Sequence, residues 1–183
     1  MTNRYLAALI SIAILVGAAT PLSSARAEEP LLYEYRIKAA FLYNFAKFIQ
    51  WPESAFVDPE SPVFICILGK DPLTGALKNL TAKTVRGRRI VISHIKNIRS
   101  VKECHILFVT KSEKTRANHI ISKLKDSPVL TVSDMDDFVK AGGMIGMARA
   151  ENKIRFRINL VSAQNSGLTI SSQLLKLAIN VIN

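Results

Sequence analysis

Residues 33–50 carry apolar side chains at helical spacing. At roughly 100° per residue, Ile37, Phe41, Phe45 and Phe48 share a narrow arc, which Leu42 and Ile49 widen. Arg36, Tyr43, Lys47 and Gln50 lie opposite. This pattern predicts an amphipathic helix stopped by Pro52, because the residue before a proline disfavours helix. The stretch from Tyr33 to Trp51 holds seven of the thirteen Phe, Trp and Tyr residues. The Phe stripe reads as core; Tyr43 and Trp51 fall outside it and are candidates for exposed contacts.

After the proline-rich loop PESAFVDPESP the period changes. VFICILG (63–69) is a continuous apolar run bounded by turn residues, as in a strand covered on both faces. KDPLTGALKNL reads as a turn and a short helix, and RRIVISHI (88–95) and CHILFVT (104–110) read as strands. Residues 113–125 form a helix with Ile120, Ile121 and Leu124 on its apolar edge, and PVLTV (128–132) is the next strand. Residues 144–149 and 153–159 form a hairpin around Ala150-Glu151-Asn152. In its second strand Ile154, Phe156 and Ile158 take one face, and Arg155, Arg157 and Asn159 the other. Gly167 marks a turn, and Ser171 or Ser172 caps a closing amphipathic helix, QLLKLAINVI. The expected fold is three-layer α/β: a mostly parallel sheet with an antiparallel C-terminal hairpin at its edge, flanked by helices.

The ends and the charge narrow the setting. Arg4 is followed by a mostly apolar run at residues 6–19, then Pro21 and Ala25-Arg26-Ala27, which fits small-x-small cleavage. This predicts a signal peptide over residues 1–27 and one domain over 28–183. A membrane-spanning anchor is the rival reading, but about 20 apolar residues are needed and the run is shorter. Cleavage lowers the net charge from +11 to +9, since the first 27 residues hold two Arg and no acid. In an exported chain this charge favours acidic partner surfaces or anionic membrane surfaces. The basic residues (Lys83, Arg86, Arg88, Arg89; Lys111, Lys114, Arg116) are dispersed, without the aromatics that grip single strands, so nucleic acid is not expected. Two cysteines, Cys66 and Cys104, predict one disulfide, either a permanent staple or a redox switch.

The search for chemistry returns no catalytic set. There is no phosphate-binding G-x-x-x-x-G-K and no nucleophile elbow. Gly142-Gly143-Met144-Ile145-Gly146 enters a strand rather than opening a helix, which favours a tight turn or close backbone approach over a dinucleotide loop. His94, His105 and His119 lack ligand spacing, and Asp134, Asp136 and Asp137 lack the rest of a calcium loop. Neither a metal nor a cofactor is expected. The candidate binding residues are Arg155, Arg157 and Asn159 with Gly142 and Gly143, and secondly Tyr43, Lys47 and Trp51.

Seven stretches in series resemble the YfiR family of periplasmic proteins. They are the aromatic helix ending in Trp51-Pro52, ICILGKDP, CHILFV, VLTVSD, Phe138 followed by GGMI, IRFRIN and GLTISSQLLKLA. The resemblance implies a small periplasmic repressor, not an enzyme, that tends to dimerise. Such a repressor binds the periplasmic sensory domain of an inner-membrane diguanylate cyclase and lowers cyclic di-GMP and biofilm formation. An outer-membrane lipoprotein of the OmpA/Pal type sequesters it. Cys66 and Cys104 match one disulfide of the family pattern; Met144 and Met147 stand where some members carry a second pair. The rival function is a periplasmic solute-binding module holding an anionic metabolite on the Arg face or in a strand-end crevice.

Overall fold

The computed structural model describes residues 25–183 except 71 and 72, with side chains from residue 32 onward. The apolar run that predicts a signal peptide lies outside the described residues. In chain order the elements are α1 (Ala25–Phe48), β1 (Ile49–Gln50), β2 (Val63–Leu68), α2 (Thr74–Leu77), β3 (Thr84–Val85), β4 (Arg88–Ile95) and β5 (Ile106–Val109). They continue with α3 (Ala117–Leu124), β6 (Leu130–Ser133), β7 (Ile145–Ala150), β8 (Lys153–Asn159), α4 (Leu160–Asn165), β9 (Thr169–Ile170), α5 (Ser172–Leu177) and β10 (Asn180–Ile182).

Eight strands form one sheet in the order β10-β8-β7-β6-β5-β2-β4-β3. Five pairings are parallel; β7–β8 and β3–β4 are antiparallel. The fold is a mostly parallel α/β sheet with helices on both faces. β2 shows why its run is apolar throughout. Ile65 and Ile67 pack into one core with α1, α2 and α5, whereas Cys66 and Leu68 pack into a second core with α3 and the 3-10 turn Ile98–Glu103. A central strand covered on both faces has no polar side.

The Phe stripe of α1 meets the sheet. Phe41 and Phe45 stack at 5.9 Å, and both set their rings edge-on to Phe156, at 5.5 and 5.3 Å. Leu42, Phe45 and Ile49 are fully buried.

Several boundaries differ from the periodicity reading. The first helix stops at Phe48, and Ile49–Gln50 pairs antiparallel with β9 instead. The helix expected over 113–125 begins as a 3-10 turn, Lys111–Arg116, and becomes α-helical at Ala117. The closing helix ends at Leu177. Asn180–Ile182 then lies parallel to β8, anchored by the Ile179 amide on the Phe156 carbonyl at 2.9 Å. This strand, with β-branched Val181 and Ile182, satisfies the outer ladder of β8, so the antiparallel hairpin is internal rather than at the sheet edge. Its turn, Glu151 and Asn152, takes φ of 51° and 58°, the left-handed pair of a two-residue hairpin loop.

Candidate functional site

β8 presents Phe156 and Ile158 to the α1 side of the sheet, so alternation sends Arg155 and Arg157 to the opposite face. Across the hairpin, Arg157 sits opposite Gly146, whose missing side chain leaves room for Val139, and Arg155 sits opposite Ala148. Arg157 is exposed and Arg155 half-buried. Arg157 borders a shallow cavity of about 250 Å³ shared with Asp137, Phe138 and Gly146. The hydrogen bond and charge of Lys140 hold the Asp137 carboxyl below its usual range, and Arg157 and Lys114 add to this.

Asn159 is not part of that open face. Its Oδ1 accepts the Ser162 amide at 2.9 Å, capping α4, and its Nδ2 donates to the Val139 carbonyl at 3.3 Å. The neighbouring glycines have an internal reason too. Gly142 has φ of 102°, and a Cβ on Gly143 would lie 2.2 Å from the Phe138 ring. Gly143→Ala is therefore expected to displace a buried aromatic and cost about 2 kcal/mol. The urea midpoint of the variant measures this, and an unchanged midpoint would refute the packing account.

The second predicted patch divides. Tyr43 is half-buried and lies between two ammonium groups, Lys47 at 5.6 Å and Lys83 at 5.2 Å from its ring; its hydroxyl donates to the Thr84 carbonyl. Trp51, expected to be exposed, is buried at 8 % exposure. Trp51 follows β1 directly, and its indole Nε1 donates to the His105 carbonyl at 3.1 Å. A Trp that satisfies its N–H internally gains by burying its ring.

His105 lies at the centre of this end of the sheet. Its Nδ1 accepts the Phe64 amide at 3.2 Å, which leaves the proton on buried Nε2. Phe56 stacks on the imidazole at 4.4 Å, and Arg88 covers Phe56 at 3.9 Å while donating to the Asp58 and Ser61 carbonyls. Arg88 so pins the proline-rich loop over a cavity of about 500 Å³, bordered by Trp51, Phe56, Val63, Val85 and Arg86.

Burial pushes the His105 pKa down to about 4; the Ala55 carbonyl offsets part of the fall and the Arg88 charge adds to it. The folded value lies below the ordinary 6.5, so between these two values the unfolded chain binds a proton that the folded chain refuses. Stability from this group is complete above the ordinary value and is lost as pH falls, by up to about 3 kcal/mol. Urea unfolding at pH ~7.5 and ~4.5 should show a steeper loss for wild type than for His105→Gln. Equal losses would refute the assignment.

Cys66 and Cys104 form a disulfide with Cα atoms 5.8 Å apart, and both residues are buried. It joins β2 to the chain entering the neighbouring β5. Neither sulfur is thus available as a thiol ligand or nucleophile. Among the described residues, no group of three or more His, Cys, Asp or Glu is placed to hold a metal ion, and no helix is long and apolar enough to cross a membrane.

The structure brings the predicted residues to opposite faces: Tyr43 and Lys47 on the α1 side, Arg155 and Arg157 on the other. Sequence reasoning missed Lys38, which is 3 % exposed between Glu34 and Asp134. Its i,i+4 spacing from Glu34 was the available signal; Asp134 is 96 residues away.

Comparison with known proteins agrees with the fold. A solved structure, a conserved domain protein from Vibrio cholerae O1 biovar El Tor str. N16961, superposes with a TM-score of 0.54 at 12% identity. The match covers 80% of this chain and 60% of that protein, and shows a shared fold. The ABC domain from Streptococcus pneumoniae in complex with L-Trp matches with a TM-score of 0.49 and 12% identity, over 84% of this chain and 62% of that one. No curated protein sequence matches. A family model described as YfiR/HmsC-like matches residues 35–179, from α1 to the segment just before β10, and the chain belongs to that family.

Proposed function

We propose that this protein is a periplasmic repressor that binds the periplasmic sensory domain of an inner-membrane diguanylate cyclase and holds it inactive. Cyclic di-GMP and biofilm formation fall as a result. The observation that carries this reading is the YfiR/HmsC-like match across residues 35–179, a family that points to periplasmic regulators of diguanylate cyclases. The chemistry agrees with a binding role: a disulfide-stapled body, dispersed cationic surfaces and a buried, neutral histidine.

A repressor shifts a two-state cyclase only by its differential affinity for the two states; moving the balance from 1:99 to 99:1 takes about 5.5 kcal/mol. With Trp51 buried and Asn159 engaged, the remaining contact candidates are Tyr43 and Lys47 with Lys83, and Arg155 with Arg157. Because they lie on opposite faces, one can hold the cyclase domain while the other meets an OmpA/Pal-type lipoprotein or a second copy of the chain.

The test is intracellular cyclic di-GMP in the native host for wild type, a clean deletion, and the deletion expressing this protein in the periplasm. A rise on deletion that expression reverses is expected, and Lys47→Glu/Lys83→Glu and Arg155→Ala/Arg157→Ala variants then locate the cyclase surface. A flat level in all three strains, with the protein present in the wild type, would overturn the repressor reading.

A further inference from the structure

The sheet reverses its winding between β2 and β5. From β2 the chain passes through α2 to β4 on one side, then returns across β2 to place β5, α3 and β6 on the other. The helices after β2 and β5 accordingly go to opposite faces. Leu73 and Leu77 at α2 pack into the core with α1, and Ile120 and Leu124 of α3 pack into the second core. In open α/β sheets, the crevice at the carboxyl ends of the strands that flank such a reversal is where ligands bind.

Here the crevice is a cavity of about 340 Å³, bordered by Tyr35, Lys70, Thr110, Lys111, Ser112 and Asp134, with Phe108 at its floor. Its rim is locked. The Lys70 amide donates to the Ser112 Oγ at 2.9 Å, and the Ser112 and Thr110 hydroxyls lie 2.9 Å apart. Gly69 has φ of 101°, and a Cβ there would lie 2.2 Å from the Thr110 Oγ1, so only glycine lets the two loops approach this closely.

The charges are sorted. Asp134 faces the crevice but is paired with buried Lys38 at 2.6 Å; Lys38 also holds Glu34 at 2.6 Å, and Arg149 stands 3.8 Å from Glu34. Two carboxylates and two cations cancel, so Asp134 does not bar an anion. Lys70 and Lys111 both border the crevice and have no carboxylate partner among the described residues. The floor and back, Phe108 and Tyr35, are aromatic.

We infer that this strand-end crevice binds a small organic acid, with its anionic group between Lys70 and Lys111 near the Ser112 and Thr110 hydroxyls and its apolar body against Tyr35 and Phe108. The inference deepens the solute-binding reading and rests on it; it does not require the repressor reading. A ligand seated there touches α1 through Tyr35, the helix that also carries Tyr43 and Lys47.

The experiment is thermal melting and isothermal titration of the purified periplasmic protein with three probes: benzoate, phenyl phosphate and inorganic phosphate. Benzoate and phenyl phosphate separate a carboxylate from a phosphate ligand; inorganic phosphate reports the anion alone. The expected result is a rise in melting temperature with one organic probe. Lys70→Ala/Lys111→Ala should weaken that binding about tenfold or more, while Lys47→Ala/Lys83→Ala leaves it unchanged. Amide NMR shifts confined to residues 108–112 and 134 would locate the probe even if a variant folded poorly. Binding that survives Lys70→Ala/Lys111→Ala but is lost in Arg155→Ala/Arg157→Ala would overturn the crevice and keep a solute binder. No binding of any probe to the wild-type protein at ~10 mM would overturn both the crevice and the solute reading, because a recognised anion of this class should bind at this concentration.

Discussion

Replacing Cys66 and Cys104 together with alanine is expected to lower stability by about 4 kcal/mol. The bridge spans a sequence separation of 38 residues, and the chain-entropy relation for a loop of that size gives this magnitude. The location adds a folding argument. The loop encloses α2, β3, β4 and the 3-10 turn Ile98–Glu103, and its closure places β5 beside β2. Parallel pairing across a long crossover is the costly step of such a sheet, since loop entropy is lost before contacts form. Urea unfolding of the double variant, against oxidised and reduced wild type, measures the effect. With Cys66 at 2 % and Cys104 at 5 % exposure, the oxidised protein should also resist reduction while folded, as a staple does and a switch does not. Rapid reduction in the native state would favour the switch. An unchanged urea midpoint in the double variant would remove the staple.

Lys38→Ala is expected to cost about 3 kcal/mol. The ammonium is almost wholly buried, 2.6 Å from both Glu34 and Asp134, and 5.1 Å from the Tyr35 ring. Burial pushes its pKa down, but the hydrogen bonds and charges of Asp134 and Glu34 outweigh burial and hold it above the ordinary value. It stays charged at neutral pH, and its contribution is lost only as pH rises past the ordinary lysine value of 10.5. Removing it leaves Asp134, at 11 % side-chain exposure, without its ammonium and Glu34, at 24 %, with the more distant Arg149 at 3.8 Å, and breaking a buried pair from one side costs more than the pair itself contributes. The triple change Glu34→Gln/Lys38→Met/Asp134→Leu should therefore recover much of the loss. Urea unfolding of both variants checks this, and a triple variant no more stable than Lys38→Ala would show that packing, not the stranded charge, sets the cost.

Lys38 also shows where sequence reading ends. It lies on α1 between Ile37 and Ala39, and helical spacing alone marks it as a polar interruption beside the core. The partner that makes burial tolerable follows β6, reachable only once the sheet has formed. Trp51 is the same case. Outside the Phe stripe it looks like a surface ring, yet the His105 carbonyl accepts its N–H and the chain buries it. Asn159 looks like part of a polar strand face but ends the strand as the cap of α4.

Local pattern alone determined the aromatic helix, the doubly covered β2, the alternation of β8 and the pairing of two cysteines. Each depends on the helix or strand period, or on the cysteine count, which the sequence carries within a few residues or in its composition. The family motifs likewise needed no coordinates. Tertiary structure alone decided that the last strand is Asn180–Ile182, that the Arg face and the Tyr43 face point in opposite directions, and that Lys70 and Lys111 border one crevice. These depend on which strands become neighbours and on which side of the sheet each crossover passes. Such long-range choices are set by packing of the two cores, where residues tens of positions apart meet and override local propensity.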